Sequence, residues 1–286
     1  MNDLIVPIIT PFNLENKVDK KKLMDHADFL LKNGVDYLLL CGSTGLGPSL
    51  KYEEKVSILE TLSYQKERLI LQVGSLDISE SIALSSMAKK IDIAAIAALP
   101  PYYYPRMPEE WYVRYFKEIS EVYPTIVYNF PLTTNYNISP ELVKNINKIG
   151  GQIIGIKDTT PDFDHIVNFK WAFGKDFKVY CGPDSLILPA IRMGMDGAVP
   201  GSGNYVPKLI REMINNDESE NALRFQQRIN TLTFLARKYG QWAANYSMVK
   251  ILSGYDVGIP RPPIYPLDKE KEKALEGEIK NVNTIP

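Results

Sequence analysis

The stretch "QIIGIKDTT", residues 152–160, places a lysine at the end of an apolar run. Such a run is typical of a parallel strand that is covered on both faces. Because desolvation disfavours an ammonium ion, Lys157 is a candidate amine nucleophile that attacks a carbonyl and forms a Schiff base. The alternative interpretation is a lysine that extends to the surface or forms an ion pair with Asp158.

Two further apolar runs end in groups that complement an amine. Tyr128 in "VYNFP" offers a phenol, which can carry protons during addition to a carbonyl and cleavage of a carbon–carbon bond. A packed tyrosine whose hydroxyl bonds to the backbone is the alternative. Ser43 and Thr44 in "GSTG" offer hydroxyls and backbone N–H groups suited to a carboxylate, although turns use these residue types in any case.

These residues must be positioned by a repeated pattern of apolar runs and helical stretches. One helical stretch extends from Asp19 to Gly34, a natural C-terminal stop. Another has Ser139 as a candidate N-cap and Pro140 at the first helical position. The apolar runs are eight in number and cover residues 4–10, 35–41, 69–73, 91–99, 125–130, 153–157, 178–181 and 197–199.

Eight strand–helix units without a break in composition predict an α/β protein with a (β/α)8 TIM barrel. An open doubly wound sheet is the alternative because periodicity does not reveal closure, but the count of eight favours the barrel. From about Glu218 to Leu252 the pattern is helical without strands. We therefore predict a barrel over residues 1–215 and a C-terminal helical extension over residues 216–286 that packs on it.

The composition excludes several classes of protein. The chain has 286 residues, of which 45% are hydrophobic, enough for a core that needs neither metal nor disulfide. With 33 basic and 34 acidic residues the formal net charge is -1, which argues against nucleic acid or an acidic membrane as a partner. The N-terminus does not resemble a signal peptide and no apolar run is long enough to span a membrane, so we expect a cytoplasmic protein.

Metal and cofactor chemistry are also disfavoured. The only histidines are His26 and His165, each on a predicted helix, and the two cysteines form no Cys-x-x-Cys pair. A metal-dependent class II aldolase would need a site richer in such ligands. A pyridoxal-phosphate enzyme also uses a Schiff-base lysine, but no matching phosphate cup or pyridine partner is evident. We expect neither a metal nor a cofactor.

The combination of motifs is more specific than any one of them. "GSTGL", "PPYYYPR", "YNFP" and "GIKDT" occur in this order at predicted strand ends. With them the sequence resembles the N-acetylneuraminate lyase and dihydrodipicolinate synthase superfamily of Schiff-base aldolases, from "PIITPF" near the start to "GIPRPPIYPL" near the end. The strings "TGLGPSL", "PPYYYPRM" and "GYDVGIPRPP" are most similar to archaeal 2-keto-3-deoxygluconate aldolases, which also take the 6-phosphorylated substrate.

The resemblance implies roles for individual residues. It makes Lys157 the Schiff-base lysine and Tyr128 the proton shuttle, and it places the carboxylate of a keto acid at Ser43 and Thr44. Tyr103 matches a position that reaches into the site of a neighbouring subunit, which implies at least a dimer, and the family resemblance implies a homotetramer built as a dimer of dimers.

Further substrate contacts are implied by the same resemblance. Arg106 matches a position that holds a substrate phosphate, a task suited to an arginine fork, and a surface ion pair is the equal alternative. Asn204 is interpreted as a turn residue. The other implied contacts are Asn129, Phe130, Asp158, Thr159, Gly182, Val199 and, on the extra helices, Asn245.

Two departures from the family pattern bear on specificity. Dihydrodipicolinate synthases usually have a glutamate where this chain has Leu46, which argues against lysine biosynthesis. The keto-deoxygluconate aldolases often have a tyrosine where this chain has Phe130, so this chain lacks a hydroxyl at the position where the resemblance implies a contact to a substrate hydroxyl or phosphate.

The sequence thus predicts a class I aldolase whose substrate is a small keto-acid sugar, 2-keto-3-deoxygluconate, and its 6-phosphate. A dihydrodipicolinate synthase or an N-acetylneuraminate lyase is the alternative within the superfamily. A non-catalytic pyruvate-binding regulator is the alternative from a different class, and it would be expected to lose Lys157 or Tyr128.

Overall fold

Eight parallel strands close into a barrel in the computed structural model, which describes residues 2–104 and 106–282. Each strand pairs with its neighbours in sequence, and β8 returns to pair with β1. The strands are β1 Asp3–Pro7, β2 Tyr37–Leu40, β3 Leu69–Gln72, β4 Ala95–Ala98, β5 Thr125–Asn129, β6 Ile153–Asp158, β7 Lys178–Cys181 and β8 Gly197–Ala198. The predicted (β/α)8 barrel is confirmed.

Helices surround this barrel and continue beyond it. Around the barrel lie α1 Lys20–Lys32, α2 Tyr52–Leu62, α3 Ile78–Ile91, α4 Glu109–Ser120, α5 Pro131–Thr134, α6 Pro140–Lys148, α7 Phe163–Ala172, α8 Ile187–Arg192 and α9 Pro207–Asn215. The C-terminal helices are α10 Glu220–Lys238, α11 Gln241–Ser253 and α12 Lys269–Val282. Within the described residues, no helix is both long enough and apolar enough to cross a membrane.

Local signals in the sequence explain where two of these helices begin and end. Asp19 accepts a hydrogen bond from the backbone of Lys22 at the start of α1, and Gly34 beyond its end has a positive φ of 89°. Ser139 caps α6 by accepting from the backbone of Leu142, with proline at the first helical position. Both helices follow the predictions from sequence.

Side chains along each strand point alternately into and out of the barrel, which separates an inner layer of side chains from an outer one. Leu4 and Val6 of β1 pack in the large outer cluster with the helices, whereas Ile5 between them joins a separate cluster inside the barrel. This inner cluster consists of Ile5, Leu39, Ile70, Ala95, Ala97, Ile126, Tyr180 and Val199. Successive strand residues face opposite sides, so side chains two residues further along each strand point up the inside of the barrel.

The C-terminal helices cover the end of the barrel where the strands finish. Helix α10 contacts α9 and the short helical turns at Asp184–Leu186 and Gly201–Asn204, which follow β7 and β8. A second hydrophobic cluster joins Ile9 and Tyr205 of the barrel to residues of α10, α11 and α12. The predicted division of the chain at residue 215 stays a prediction.

The segment between α11 and α12 fastens the loop after β2. Arg261 forms a bidentate ion pair with Glu54 at 2.6 and 2.8 Å, and its guanidinium lies 4.6 Å from the centroid of the Phe12 ring. The same guanidinium donates to the carbonyl of Ser49. The hydrogen bond from Arg261 lowers the pKa of Glu54, so the ion pair holds over the neutral range.

We predict that Gly47→Ala destabilises the protein, because a Cβ at this position would lie 1.8 Å from the carbonyl oxygen of Cys41. Overpacking of this kind costs about 1–3 kcal/mol. Gly174→Ala is the matched control, since a Cβ there meets no atom within 4 Å, and we expect a change within about 0.5 kcal/mol. Denaturant unfolding of both variants checks this, and equal stabilities would contradict the close packing of the loop.

Candidate active site

A cavity of about 310 Å³ opens at the carboxyl end of the barrel. It is bounded by the loops that follow the strands and by the C-terminal helices. Eight of the residues predicted from sequence line it, namely Ser43, Thr44, Tyr128, Phe130, Lys157, Thr159, Gly182 and Val199. The closed barrel therefore brings together side chains that are more than 150 positions apart in the chain.

Lys157 and Tyr128 form the floor of this cavity. They are direct neighbours in the register of β5 and β6, and both point into the barrel. The amine of Lys157 lies 3.8 Å from the centroid of the Tyr128 ring, and both side chains are almost fully buried. Among the residues that the structure describes, no carboxylate forms an ion pair with Lys157, and Asp158 points to the opposite side of the strand. The alternative of a lysine paired with Asp158 is therefore excluded.

The Ser43–Thr44 turn lies beside the phenol. The hydroxyl of Tyr128 donates to Oγ of Ser43 at 3.4 Å. The turn is held by bonds from Leu46 N to the Ser43 carbonyl and from the Thr10 hydroxyl to the Gly45 carbonyl. Within residues 2–104 and 106–282, the N–H groups of Ser43 and Thr44 have no acceptor. These donors are free to bind a carboxylate.

Thr159 and Gly182 form one wall. The hydroxyl of Thr159 is buried and has no hydrogen-bond partner in the described chain. A Cβ on Gly182 would lie 2.3 Å from that hydroxyl oxygen. Glycine is therefore required at position 182 so that β6 and β7 can approach each other next to Lys157.

The structure does not bring Asn129 and Asp158 to the cavity, which corrects the substrate contacts expected of them. Each follows an inward-pointing residue, so strand alternation turns its side chain outward toward the helices. Both are fully buried, and the amide of Asn129 donates to Oδ1 of Asp158 at 3.0 Å. The other oxygen of Asp158 accepts from His165 at 2.6 Å.

Three other predicted contacts also lie outside the cavity of this chain. Tyr103 and Arg106 occupy the loop after β4, where 72% of Tyr103 is exposed and Arg106 has a positive φ of 63°. Asn245 is buried in α11, and its Nδ2 has no partner among the described residues. One turn earlier in the same helix, Gln241 and Trp242 reach the cavity instead.

Two further residues considered in the sequence analysis, Asn204 and His26, have structural roles. Asn204 is buried, accepts from the backbone of Ile9 at 3.0 Å and donates to the carbonyl of Pro7 at 3.0 Å. His26 contacts Asn204 and the hydroxyl of Tyr255, and its burial lowers its pKa to about 4. The described residues contain no group of three or more His, Cys, Asp or Glu side chains that could hold a metal ion.

Among the cavity residues that the sequence analysis did not predict are Asp184, Arg237, Gln241 and Trp242. Asp184 is 6% exposed, and its Oδ1 accepts from the backbone of Ser202 at 2.9 Å. Arg237, Gln241 and Trp242 come from α10 and α11. Asp184 could have been found from "GPD" at a strand end. The three helical residues carry no such signal, because periodicity does not tell which face of an extra helix lies over the barrel.

Arg237 gives the outer part of the cavity a positive charge. Its guanidinium is exposed and forms no hydrogen bond or ion pair with the residues that the structure describes. The lining of the cavity thus changes from a buried amine and phenol at the floor to an exposed, unpaired guanidinium. This arrangement suits an elongated acid with polar groups along its length.

Comparisons with known proteins agree with this geometry. Residues 1–282 match the dihydrodipicolinate synthetase family. The chain is 41% identical to the 2-dehydro-3-deoxy-phosphogluconate/2-dehydro-3-deoxy-6-phosphogalactonate aldolase of Sulfurisphaera tokodaii, covering 98% of this chain and 97% of the relative. It is 33% identical to the 2-dehydro-3-deoxy-D-gluconate/2-dehydro-3-deoxy-phosphogluconate aldolase of Thermoproteus tenax, with 97% and 90% covered.

A solved structure extends the similarity to three dimensions. It is the 2-keto-3-deoxygluconate aldolase of Sulfolobus solfataricus in complex with D-KDPG, which superimposes with a TM-score of 0.94 at 37% identity. The match covers 98% of this chain and 96% of that one. The chain belongs to the dihydrodipicolinate synthetase family.

Proposed function

We propose that this protein is a class I aldolase that splits 2-keto-3-deoxygluconate, and its 6-phosphate, into pyruvate and glyceraldehyde or glyceraldehyde 3-phosphate. Full-length relatives with these activities in their names support this sugar-breakdown role of the Entner–Doudoroff type. The observation that carries the proposal is the unpaired amine of Lys157 beside the phenol of Tyr128 at the floor of the cavity.

The reaction begins at the floor of the cavity. The amine of Lys157 attacks the C2 carbonyl of the keto acid, and loss of water from the carbinolamine gives an iminium ion. Tyr128 and Ser43, whose hydroxyls are hydrogen-bonded, carry protons to and from the departing oxygen. The iminium then serves as the electron sink for cleavage.

Cleavage of the C3–C4 bond follows. Tyr128 takes the proton of the C4 hydroxyl while the bonding electrons move into the iminium and leave an enamine on Lys157. The aldehyde departs, C3 of the enamine is protonated, and hydrolysis releases pyruvate and the free amine. Addition of pyruvate to the aldehyde is the same sequence in reverse.

The walls orient the substrate along this path. The free N–H groups and hydroxyls of Ser43 and Thr44 hold the carboxylate next to Lys157. The carboxylate of Asp184 accepts hydrogen bonds from hydroxyls of the sugar chain. Arg237 binds the distal phosphate when it is present. Phe130 offers only a ring at its part of the wall.

Assembly and location complete the proposal. A homotetramer in the cytoplasm is proposed on the family resemblance, and the exposed Tyr103 is the residue offered to a neighbouring subunit. The barrel over residues 1–215 carries the floor of the site, and the proposed extension over residues 216–286 supplies Arg237, Gln241 and Trp242.

We expect borohydride to trap pyruvate on Lys157, because reduction of an iminium fixes the adduct to the amine that formed it. Peptide mass mapping identifies the modified residue. Lys55 is a matched internal control, since it is equally buried but forms a 2.7 Å ion pair with Glu80, and it should stay unmodified. Lys157→Arg should lower kcat at least about 1,000-fold.

The proposed chemistry fails if the pyruvate adduct maps to another lysine or if the Lys157→Arg variant still turns over substrate. Assays with 2-keto-3-deoxygluconate, N-acetylneuraminate and aspartate semialdehyde plus pyruvate separate the aldolase from the other superfamily activities. A pyruvate-binding regulator would form no product in any of the three.

For Arg237→Gln we expect KM for the 6-phosphate to rise about 10- to 100-fold while KM for the free sugar acid changes little, because a charge-assisted bond is lost. Arg224→Gln changes an arginine of the same helix that lines a different cavity, and it should behave as wild type. If Arg106→Gln, and not Arg237→Gln, raises this KM, the phosphate is held from the loop after β4.

Tyr103→Phe should lower kcat about tenfold or more without changing the melting temperature, if its hydroxyl acts in a neighbouring site. Tyr104→Phe is the control, because this exposed ring lies only 5.5 Å from that of Tyr103. Light scattering gives the assembly state of each variant. A monomeric wild-type protein, or full activity of Tyr103→Phe, would remove the basis for the shared site.

A further inference from the structure

The seam between β8 and β1, where the barrel closes, has a short β-ladder. Strand β8 has only two residues, and the last of its pairs with β1 joins Ala198 to Leu4. Pro200 comes two residues after the strand and has no N–H to donate. Pro7 and Gly201, which line the cavity, lie beyond the last pair. At the height of the cavity the seam therefore depends on bonds outside the β-ladder.

The side-chain amide of Asn204 takes the place of a strand residue at this seam. Its Nδ2 donates to the carbonyl of Pro7, and its Oδ1 accepts from the N–H of Ile9, both at 3.0 Å. In a parallel ladder, one backbone residue makes the same two bonds to residues that are two apart on the neighbouring strand. The side chain of Asn204 is fully buried, so water does not compete for these bonds.

The amide of Asn204 also uses its other two hydrogen-bonding positions. Nδ2 donates to the carbonyl of Gly201 at 3.0 Å, and Oδ1 lies 3.0 Å from Nε2 of His26. Because the N–H of Ile9 can only donate, Oδ1 is the acceptor, and Nε2 of His26 carries its proton. Nδ1 of His26 then accepts from the hydroxyl of Tyr255. Two donors and two acceptors thus fix a single orientation of the amide.

The Gly201–Asn204 turn lies between two groups that bind different parts of the substrate in the proposed function. A Cβ on Gly201 would lie 3.8 Å from Oγ1 of Thr44 and 4.0 Å from Oδ2 of Asp184. The next residue of the turn, Ser202, donates its N–H to Oδ1 of Asp184 at 2.9 Å. A shift of this turn therefore carries the carboxylate of Asp184 with it.

The end of β1 packs against the Ser43–Thr44 turn. A Cβ on Gly45 would lie 2.6 Å from the carbonyl oxygen of Ile8, the residue that follows β1. Asn204 bonds to the residues on either side of Ile8. The amide therefore sets how far Asp184 lies from the Ser43–Thr44 turn.

We propose that Asn204 is a positioning residue of the aldolase, which closes the β8–β1 seam and sets the spacing between the Ser43–Thr44 turn and the carboxylate of Asp184. The sugar acid needs both groups at once, whereas pyruvate needs only the turn and Lys157. This inference rests on the proposed function, because the roles of the turn and of Asp184 belong to it. It assigns Asn204 no contact with substrate.

Asn204→Asp keeps both acceptor positions and removes both donors, so that a carboxylate oxygen faces the carbonyls of Pro7 and Gly201. We expect kcat/KM for cleavage of 2-keto-3-deoxygluconate to fall about 10- to 100-fold, because a misplaced binding group costs rate. The rate at which pyruvate and borohydride modify Lys157 should change less than about threefold. A role in stability alone would lower the melting temperature and leave the ratio of the two rates unchanged.

Asn147→Asp is the matched control, because the amide of Asn147 also bonds to the backbone of a strand. It donates to the carbonyl of Ile153 and accepts from the N–H of the same residue, both at 2.9 Å. Ile153 begins β6, at the end of the barrel away from the cavity. This variant should lose stability and keep the wild-type ratio of cleavage to trapping.

Two variants of His26 test the same link if Asn204→Asp does not fold. His26→Leu removes the donor to Oδ1 of Asn204, whereas His26→Gln keeps an N–H near the place of Nε2. We expect His26→Leu to lower cleavage relative to pyruvate trapping about tenfold, because a buried acceptor loses its donor. His26→Gln should restore most of this loss.

NMR with ¹⁵N-labelled histidine examines the link without an activity assay, since the chain has only two histidines. His26 should be the neutral Nε2–H tautomer at pH 7, in agreement with the burial that lowers its pKa to about 4. The Nδ1–H tautomer would overturn the proposal, because Oδ1 of Asn204 would then face a ring nitrogen that cannot donate.

The kinetic result that refutes the positioning role is an unchanged ratio of cleavage to trapping in both Asn204→Asp and His26→Leu, whether the two rates fall together or stay at wild-type values. Trapping of pyruvate on Lys157 of the wild-type protein, measured in the same assay, tests the proposed aldolase chemistry separately.

Discussion

The register of β5 and β6 is the constraint on which the site depends. Tyr128 pairs with Lys157, and one residue further along both strands Asn129 pairs with Asp158. These two neighbouring pairs have different roles. The first pair points into the barrel and forms the floor of the cavity, and the second points outward and is buried under the helices. A slip of one residue would exchange the two faces and place a carboxylate and an amide where the amine and phenol now lie.

The outward pair explains how a buried charge is tolerated next to the reacting amine. A carboxylate that is fully removed from water is costly unless it is paired and hydrogen-bonded. Asp158 meets this need with three donors, from Asn129, Thr160 and His165. Because these donors hold Asp158 on the outer face of the strand, opposite to Lys157, the two side chains form no ion pair and the amine remains free for the cavity.

The barrel and the floor of the site could be predicted from the sequence because they rest on local signals. Apolar runs gave the eight strands, and unusual residues at their ends gave Lys157, Tyr128 and the Ser43–Thr44 turn. The direction of Asn129 and Asp158 was missed because a motif records that residues are adjacent and not which face each occupies. Arg237 was missed because its position depends on how α10 packs over the loops, which is a tertiary and not a periodic property.

The contrast between the barrel strands and the C-terminal helices also bears on substrate specificity at the outer end of the cavity. The floor is built from strands whose geometry is fixed by backbone pairing, whereas Arg237 and Gln241 lie on helices that only pack against the barrel. Their guanidinium and amide can therefore vary without disturbing Lys157 and Tyr128. Phe130 contributes an apolar ring to the lining of the cavity, and Arg237 contributes a positive charge. In the proposed function, the distal end of the substrate is therefore recognised by Arg237, and the chemistry at the floor is independent of this contact.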